Sequence, residues 1–190
     1  MLSPYAESYK TNTIFNPFVK KMIKTRIPIT GTVIDFGCGI GTNIYNLKEM
    51  GWDVYGVERE PIAVEKVKQT IGCNRIFAKD INELDFDLLP YFDLALCNYV
   101  LQHLNKDDVY KFFDKLFTKA KKESYFIISF FDDRDGITFS EIVEYLTENY
   151  WALERFKRWE RLDTSHGSPH LHKGIESMWA FKGNISYISH

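Results

Sequence analysis

Little in this chain points outward. Among 190 residues there are only three cysteines, Cys38, Cys73 and Cys97, and they lack the paired spacing of a metal site. So sparse and odd a set reads as free thiols in a reducing compartment. No apolar run approaches the roughly 20 residues that a bilayer-spanning helix needs. The opening Met1-Leu2-Ser3-Pro4-Tyr5-Ala6-Glu7 carries no apolar stretch of the secretory kind. Net charge is only -2, with acids and bases interspersed, so no global field selects nucleic acid or an anionic membrane. The expectation is a cytoplasmic protein without a membrane partner, with its oligomeric state open. Against these absences stands a composition that is 45% apolar and 16% aromatic, enough to bury the core of one domain.

The most informative stretch is Val33-Ile34-Asp35-Phe36-Gly37-Cys38-Gly39-Ile40-Gly41-Thr42, an apolar run that ends in an acid and then Gly-x-Gly-x-Gly. It reads as a strand turning tightly into a helix. Glycines there let backbone approach a ligand and leave amide N–H groups pointing at it. A second run, Asp53-Val54-Tyr55-Gly56-Val57-Glu58, again ends in an acid, placed to accept hydrogen bonds from a ribose. Strands are expected at residues 33–36, 54–57, 76–78, 94–98 and 125–131. Helices are expected at 43–50, closed by Gly51, at 61–70, opened by Pro61, and at 107–120 and 139–150. The third of these turns Val109, Phe112, Phe113, Leu116 and Phe117 inward. Two extended stretches, 153–162 and 176–182, follow, joined by a turn-rich linker containing Gly167, Pro169 and Gly174. Alternation of strand and helix predicts an α/β fold with a parallel sheet.

Taken together, Asp35 to Gly41, Glu58, Asp80 and the segment from Asn98 to Leu104 resemble the motifs of class I S-adenosylmethionine-dependent methyltransferases. The match covers about residues 32–131. Dinucleotide oxidoreductases use Gly-x-Gly-x-x-Gly, whose third glycine falls one place beyond Gly41. An acid directly before the loop also suits a cationic amino-acid tail better than a pyrophosphate. The resemblance implies a Rossmann-like, seven-stranded, mostly parallel sheet with helices on both faces and a C-terminal antiparallel hairpin. It implies S-adenosylmethionine as cofactor, held by Asp35, Gly37, Cys38, Gly39, Gly41, Glu58, Arg59, Asp80, Ile81, Asn98 and Tyr99. Residues 1–30 would form a helical lid segment before a single domain at 31–190, with Tyr5 and Tyr9 one turn apart and facing the acceptor.

On the acceptor side, the linker carries His166, His170 and His172 within seven positions. Imidazole titrates near neutrality, so His170 and His172 are the candidates to take a proton from the acceptor, with His166 and Gln102 lining its site. The alternatives for this cluster are an exposed loop and a metal site; no Cys or fourth ligand stands nearby, and no metal is expected. His103 reads as structural. Asp132-Asp133-Arg134-Asp135 reads as a solvated loop, and the basic and aromatic run from Arg155 to Arg161 as one half-basic strand face. The segment after the fourth strand lacks Asn-Pro-Pro-Tyr, which argues against methylation of base amines or glutamine side chains. A small-molecule acceptor, methylated on O, N or S, is the leading expectation. An RNA or protein methyltransferase, and a cofactor-binding sensor that no longer methylates, are the alternatives.

Overall fold

Seven strands form one sheet in the order β3-β2-β1-β4-β5-β7-β6. In this computed structural model the described residues are 14–28, 30–132, 136–163 and 169–183, with the side chains of Asp163 and His170 also outside the description. The strands are β1 Thr32–Phe36, β2 Asp53–Glu58, β3 Ile76–Ala78, β4 Phe92–Asn98, β5 Ala120–Phe131, β6 Trp151–Asp163 and β7 His170–Phe181. The first five run parallel; β7 is antiparallel to both β5 and β6. Thus β6 points the same way as β1 to β5, and its hairpin with β7 turns back at the carboxyl edge of the sheet. The expected architecture is the observed one.

Among the described residues five α-helices cover the two faces: α1 Pro17–Thr25, α2 Thr42–Glu49, α3 Pro61–Ile71, α4 Lys106–Phe117 and α5 Phe139–Glu148. Local chemistry starts most of them, Pro61 opening α3. Asn16 caps α1, its side-chain oxygen accepting from the Phe18 and Val19 amides, with Pro17 at the first helical position. Asn105 caps α4, and Thr138 with Glu141 closes a capping box on α5. Alternating strand residues then sort into two cores. Val33, Val54, Leu94, Ile127 and Met178 pack under α1, α2 and α3, whereas Ile34, Phe36, Ala95, Phe126 and Trp179 pack under α4 and α5. The five α4 residues expected to face inward are all buried. Helices leave β1 on one face and β4 on the other, so the strand order reverses between these two strands. Their carboxyl ends are the switch point at which open α/β sheets place ligands.

Several boundaries differ from expectation, three of them with a clear physical reason. Helix α4 stops at Phe117 rather than at residue 120, because the chain turns at Lys119 and Ala120 already pairs with Phe92. The register then shifts before Tyr125 meets Leu94, so the polar residues 121–124 belong to an irregular strand opening that apolar patterning does not reveal. Last, much of the expected linker of 163–174 is strand: residues 170–174 belong to β7. Pairing runs continuously from Asp163↔His170 to Trp159↔Gly174, and these polar residues are held by backbone bonds that hydropathy does not show.

Candidate active site

The loop after β1 is tight because three glycines adopt positive φ: Gly37 at 69°, Gly39 at 54° and Gly41 at 81°. A side chain at Gly37 would stand 2.2 Å from Val100 Cγ2, so the left-handed backbone conformation and the lack of space both require glycine there. The loop amides turn inward. Gly37 and Cys38 donate to the Val57 carbonyl at 2.8 and 3.1 Å, Gly41 donates to the Cys38 carbonyl, and Gly39 donates to Glu58 Oε2 at 2.8 Å. These four amides bond within the protein, so the glycines serve close packing against β2 and the anchoring of Glu58.

Three acids mark the carboxyl ends of adjacent strands. Asp35, 2% exposed, ends β1 on the α1 side, and the Asn43 amide donates to its Oδ2 at 3.4 Å. Burial pushes its carboxyl up to about 7, opposed by the Asn43 bond and assisted by the charge of Glu58. Glu58, 7% exposed, also accepts from the Arg59 and Glu60 amides, which fixes its carboxylate at the end of β2. Past β3, Asp80 accepts from the Asn82 amide and from Arg59 Nη1 at 2.8 Å; these bonds hold its carboxyl below the usual range, the amide contributing most. Ile81 beside it is buried in the core under α4. Cys38 and Cys97 are buried as well, and burial raises both thiols far from ionisation, so neither acts as a nucleophile.

Beyond β4 the chain turns sharply. Tyr99 takes φ 59°, an uncommon conformation for a side chain, with its amide donating to the Ser129 carbonyl. Asn98 Oδ1 accepts from Ser129 Oγ at 2.8 Å, while its Nδ2 is buried without a partner, as is Gln102 Oε1 on the short turn Leu101–His103. The twist throws the Tyr99 ring across the sheet edge. It meets Phe131 at 5.3 Å and Trp159 at 6.4 Å between centroids, and Phe131 in turn stacks on His172 at 4.4 Å.

Sequence-expected site residues therefore divide. Asp35, Gly37, Cys38, Gly39, Gly41, Glu58, Arg59, Asp80, Ile81, Asn98, Tyr99 and Gln102 gather at the carboxyl ends of β1 to β4 or in the turns beyond. His172 sits within β7 and is buried, not in a loop, and His170 begins that strand. Tyr5, Tyr9 and His166 lie outside the described residues, as does most of the acidic run after β5. His103 is exposed at the end of its turn. Sequence reading passed over Asn16, Phe131, Trp159 and Glu176. For Glu176 there was a signal: a lone acid inside Ile175-Glu176-Ser177-Met178-Trp179-Ala180-Phe181, a run otherwise fit only for a core.

The chain belongs to the methyltransferase domain family, whose profile matches residues 10–181. No curated protein matches it significantly in sequence. Its fold is shared with several solved structures. A TehB-like SAM-dependent methyltransferase from Corynebacterium glutamicum superposes with a TM-score of 0.71 at 21% identity, over 94% of this chain and 96% of that one. The 1,6-didemethyltoxoflavin-N1-methyltransferase of Burkholderia thailandensis, with bound 1,6-didemethyltoxoflavin and S-adenosylhomocysteine, gives 0.67 at 20% identity over 88% and 78%. Magnesium protoporphyrin IX methyltransferase from Synechocystis, with bound SAM, gives 0.63 at 17% over 93% and 79%.

Proposed function

We propose that this chain is an S-adenosylmethionine-dependent methyltransferase acting on a small-molecule acceptor. The observation that carries the reading is the row of Asp35, Glu58 and Asp80 at the ends of β1, β2 and β3, beside a loop whose amides bond inward. A ligand meeting this edge meets carboxylates. That suits an ammonium and a sugar diol, and it opposes a pyrophosphate. Asp35 would hold the ammonium, Glu58 the ribose hydroxyls, and Asp80 with Ile81 the adenine. The unpartnered Asn98 Nδ2 offers one further polar group at the same edge.

Bound there, the cofactor would supply an electrophilic methyl group on a sulfonium. The chain's own residues bind, orient and exclude water. Tyr99, forced outward by its backbone turn, separates the acid row from the aromatic wall of Phe131, Trp159 and His172. A wall of this size suits a small acceptor, and positioning of two reactants is the main catalytic resource it offers. His172 serves in this reading as part of the wall, with its ring held against Phe131.

The test is calorimetric titration with S-adenosylmethionine and S-adenosylhomocysteine, with NAD as control. Both sulfur ligands should bind and NAD should not. Glu58→Ala should weaken binding at least tenfold, the loss of about 1.4 kcal/mol or more expected when charge-assisted hydrogen bonds disappear. Binding of NAD in place of the sulfur ligands, or unchanged affinity in the variant, would overturn the assignment of this edge.

A further inference from the structure

Glu176 stands apart from the row of acids that would hold the donor. This acid lies in β7 at 6% exposure, opposite Ser129 of β5 and Lys157 of β6, on the same sheet face as Asp35 and Asn98. Asn16, at the start of α1, lies near enough to help hold its carboxyl down. The Asn16 side-chain oxygen is taken up by two helix amides, which leaves its amide nitrogen as the group that faces an acceptor there. Burial raises the Glu176 carboxyl, and Lys157 and Asn16 only partly oppose this. Lys157 acts on it through space, and no ion pair joins the two among the described residues. Burying a carboxylate for core stability alone is costly, and a leucine would fill this strand position more cheaply.

What stands beside Glu176 is aromatic. Gly174, two residues before it on the same face, has no side chain, and a Cβ there would lie 2.1 Å from Trp159 Cζ2. The indole therefore rests on bare backbone and reaches Phe131 at 5.8 Å with an interplanar angle of 78°. Tyr99 and His172 complete the surround, and the Tyr99 phenol is close enough to be raised to about 12, by burial first and by the Glu176 charge second. Arg161 sits over the outer side of Trp159, 5.9 Å from its ring. An acid backed by ring faces and edges recognises a flat group that donates N–H: the rings stack or meet cationic character, and the carboxylate accepts.

We propose that Tyr99, Phe131, Trp159 and His172, with Glu176 at their base, form the acceptor subsite, and that it selects a planar, nitrogen-bearing small molecule whose N–H donates to Glu176. Glu176 is the specificity-determining residue of the site. This rests on the methyltransferase reading above, because the donor must be held at Asp35 and Glu58 for the subsite to face it.

The experiment titrates protein saturated with S-adenosylhomocysteine against a matched pair of probes, 4-aminoquinoline and quinoline-4-carboxylate, which share a ring and differ in the polar group. The amine should bind at least tenfold more tightly than the carboxylate. Glu176→Gln should reduce amine affinity at least tenfold, while leaving S-adenosylhomocysteine affinity and the melting temperature near those of the unchanged protein. Trp159→Leu, a second variant at the half-exposed side of the wall, should weaken both probes alike. Equal affinity for the pair, preference for the carboxylate, no binding of either at millimolar concentration, or indifference to Glu176→Gln would each overturn the proposal. Failure of S-adenosylhomocysteine itself to bind would instead overturn the donor reading, and the two failures are told apart in the same titration.

Discussion

In the proposed function Asp35 would couple cofactor, pH and stability. Its carboxyl titrates near 7 in the folded protein against 3.8 as the ordinary value, so the native state binds a proton that the unfolded chain has already released between those limits. The protonated acid's contribution to stability is whole below about pH 4 and is lost as pH rises through 7. Asp35→Asn, which keeps shape and hydrogen bonding without the charge, should therefore be more stable than the unchanged protein at pH 8, by a few kcal/mol at most, with the gap closing toward pH 5; melting curves across that range check it. The same substitution should weaken S-adenosylmethionine binding. Ammonium entry favours the ionised carboxyl, so binding at pH 6 to 6.5 should release protons, seen as a dependence of the calorimetric heat on buffer ionisation enthalpy, and little release should remain in the variant. The acid's position was legible from the sequence because an acid between an apolar run and Gly-x-Gly-x-Gly has few other uses. That the loop amides face inward was not legible, since their partners, the Val57 carbonyl and Glu58, come from β2 and are set by tertiary register.

At the scale of elements, the β1–α2–β2–α3–β3 half could be read from the chain because β1 and the second half of β2 are buried on both faces and the helices have their own stop or start, such as Pro61 and Gly51. The β6–β7 hairpin was read short. Its strands end the sheet, alternate polar with aromatic residues, and are specified by cross-strand pairing rather than by hydropathy. Trp159 over Gly174 is the clearest such pair, and it makes a testable demand. Gly174→Ala forces the indole away from β7 by placing a methyl group inside its ring plane, and should cost roughly 1–3 kcal/mol, the usual range for overpacking. Chemical denaturation measures that cost. Donor affinity should stay unchanged, because Gly174 stands in β7, apart from the acid row at β1 to β3, and a large loss of S-adenosylhomocysteine binding would mean the hairpin supports the donor edge as well.

Across the whole molecule, the donor edge draws on both cores at once. Asp35 and Asn43 belong to the face covered by α1, α2 and α3, whereas Ile81 and the turn at Leu101 pack beneath α4. Helix α1 is tied to the edge too, since the Asn16 amide donates to Asn43 Oδ1 and Asn43 donates onward to Asp35. A ligand that fills the edge therefore binds only when both layers and α1 are in place, and it stabilises the fold as a unit by mass action. At 100 times its dissociation constant, S-adenosylhomocysteine should add about 2.7 kcal/mol. For a chain of this length each kcal/mol raises the melting temperature by roughly 2–4 °C, so the expected shift is on the order of 5–10 °C in a single cooperative transition. NAD at the same concentration should give no shift, and Glu58→Ala, with affinity weakened tenfold, should cut the shift to roughly half. Two transitions, with only the later one moved by ligand, would show instead that the α1 face and the α4 face melt separately and that the edge is built from one of them alone.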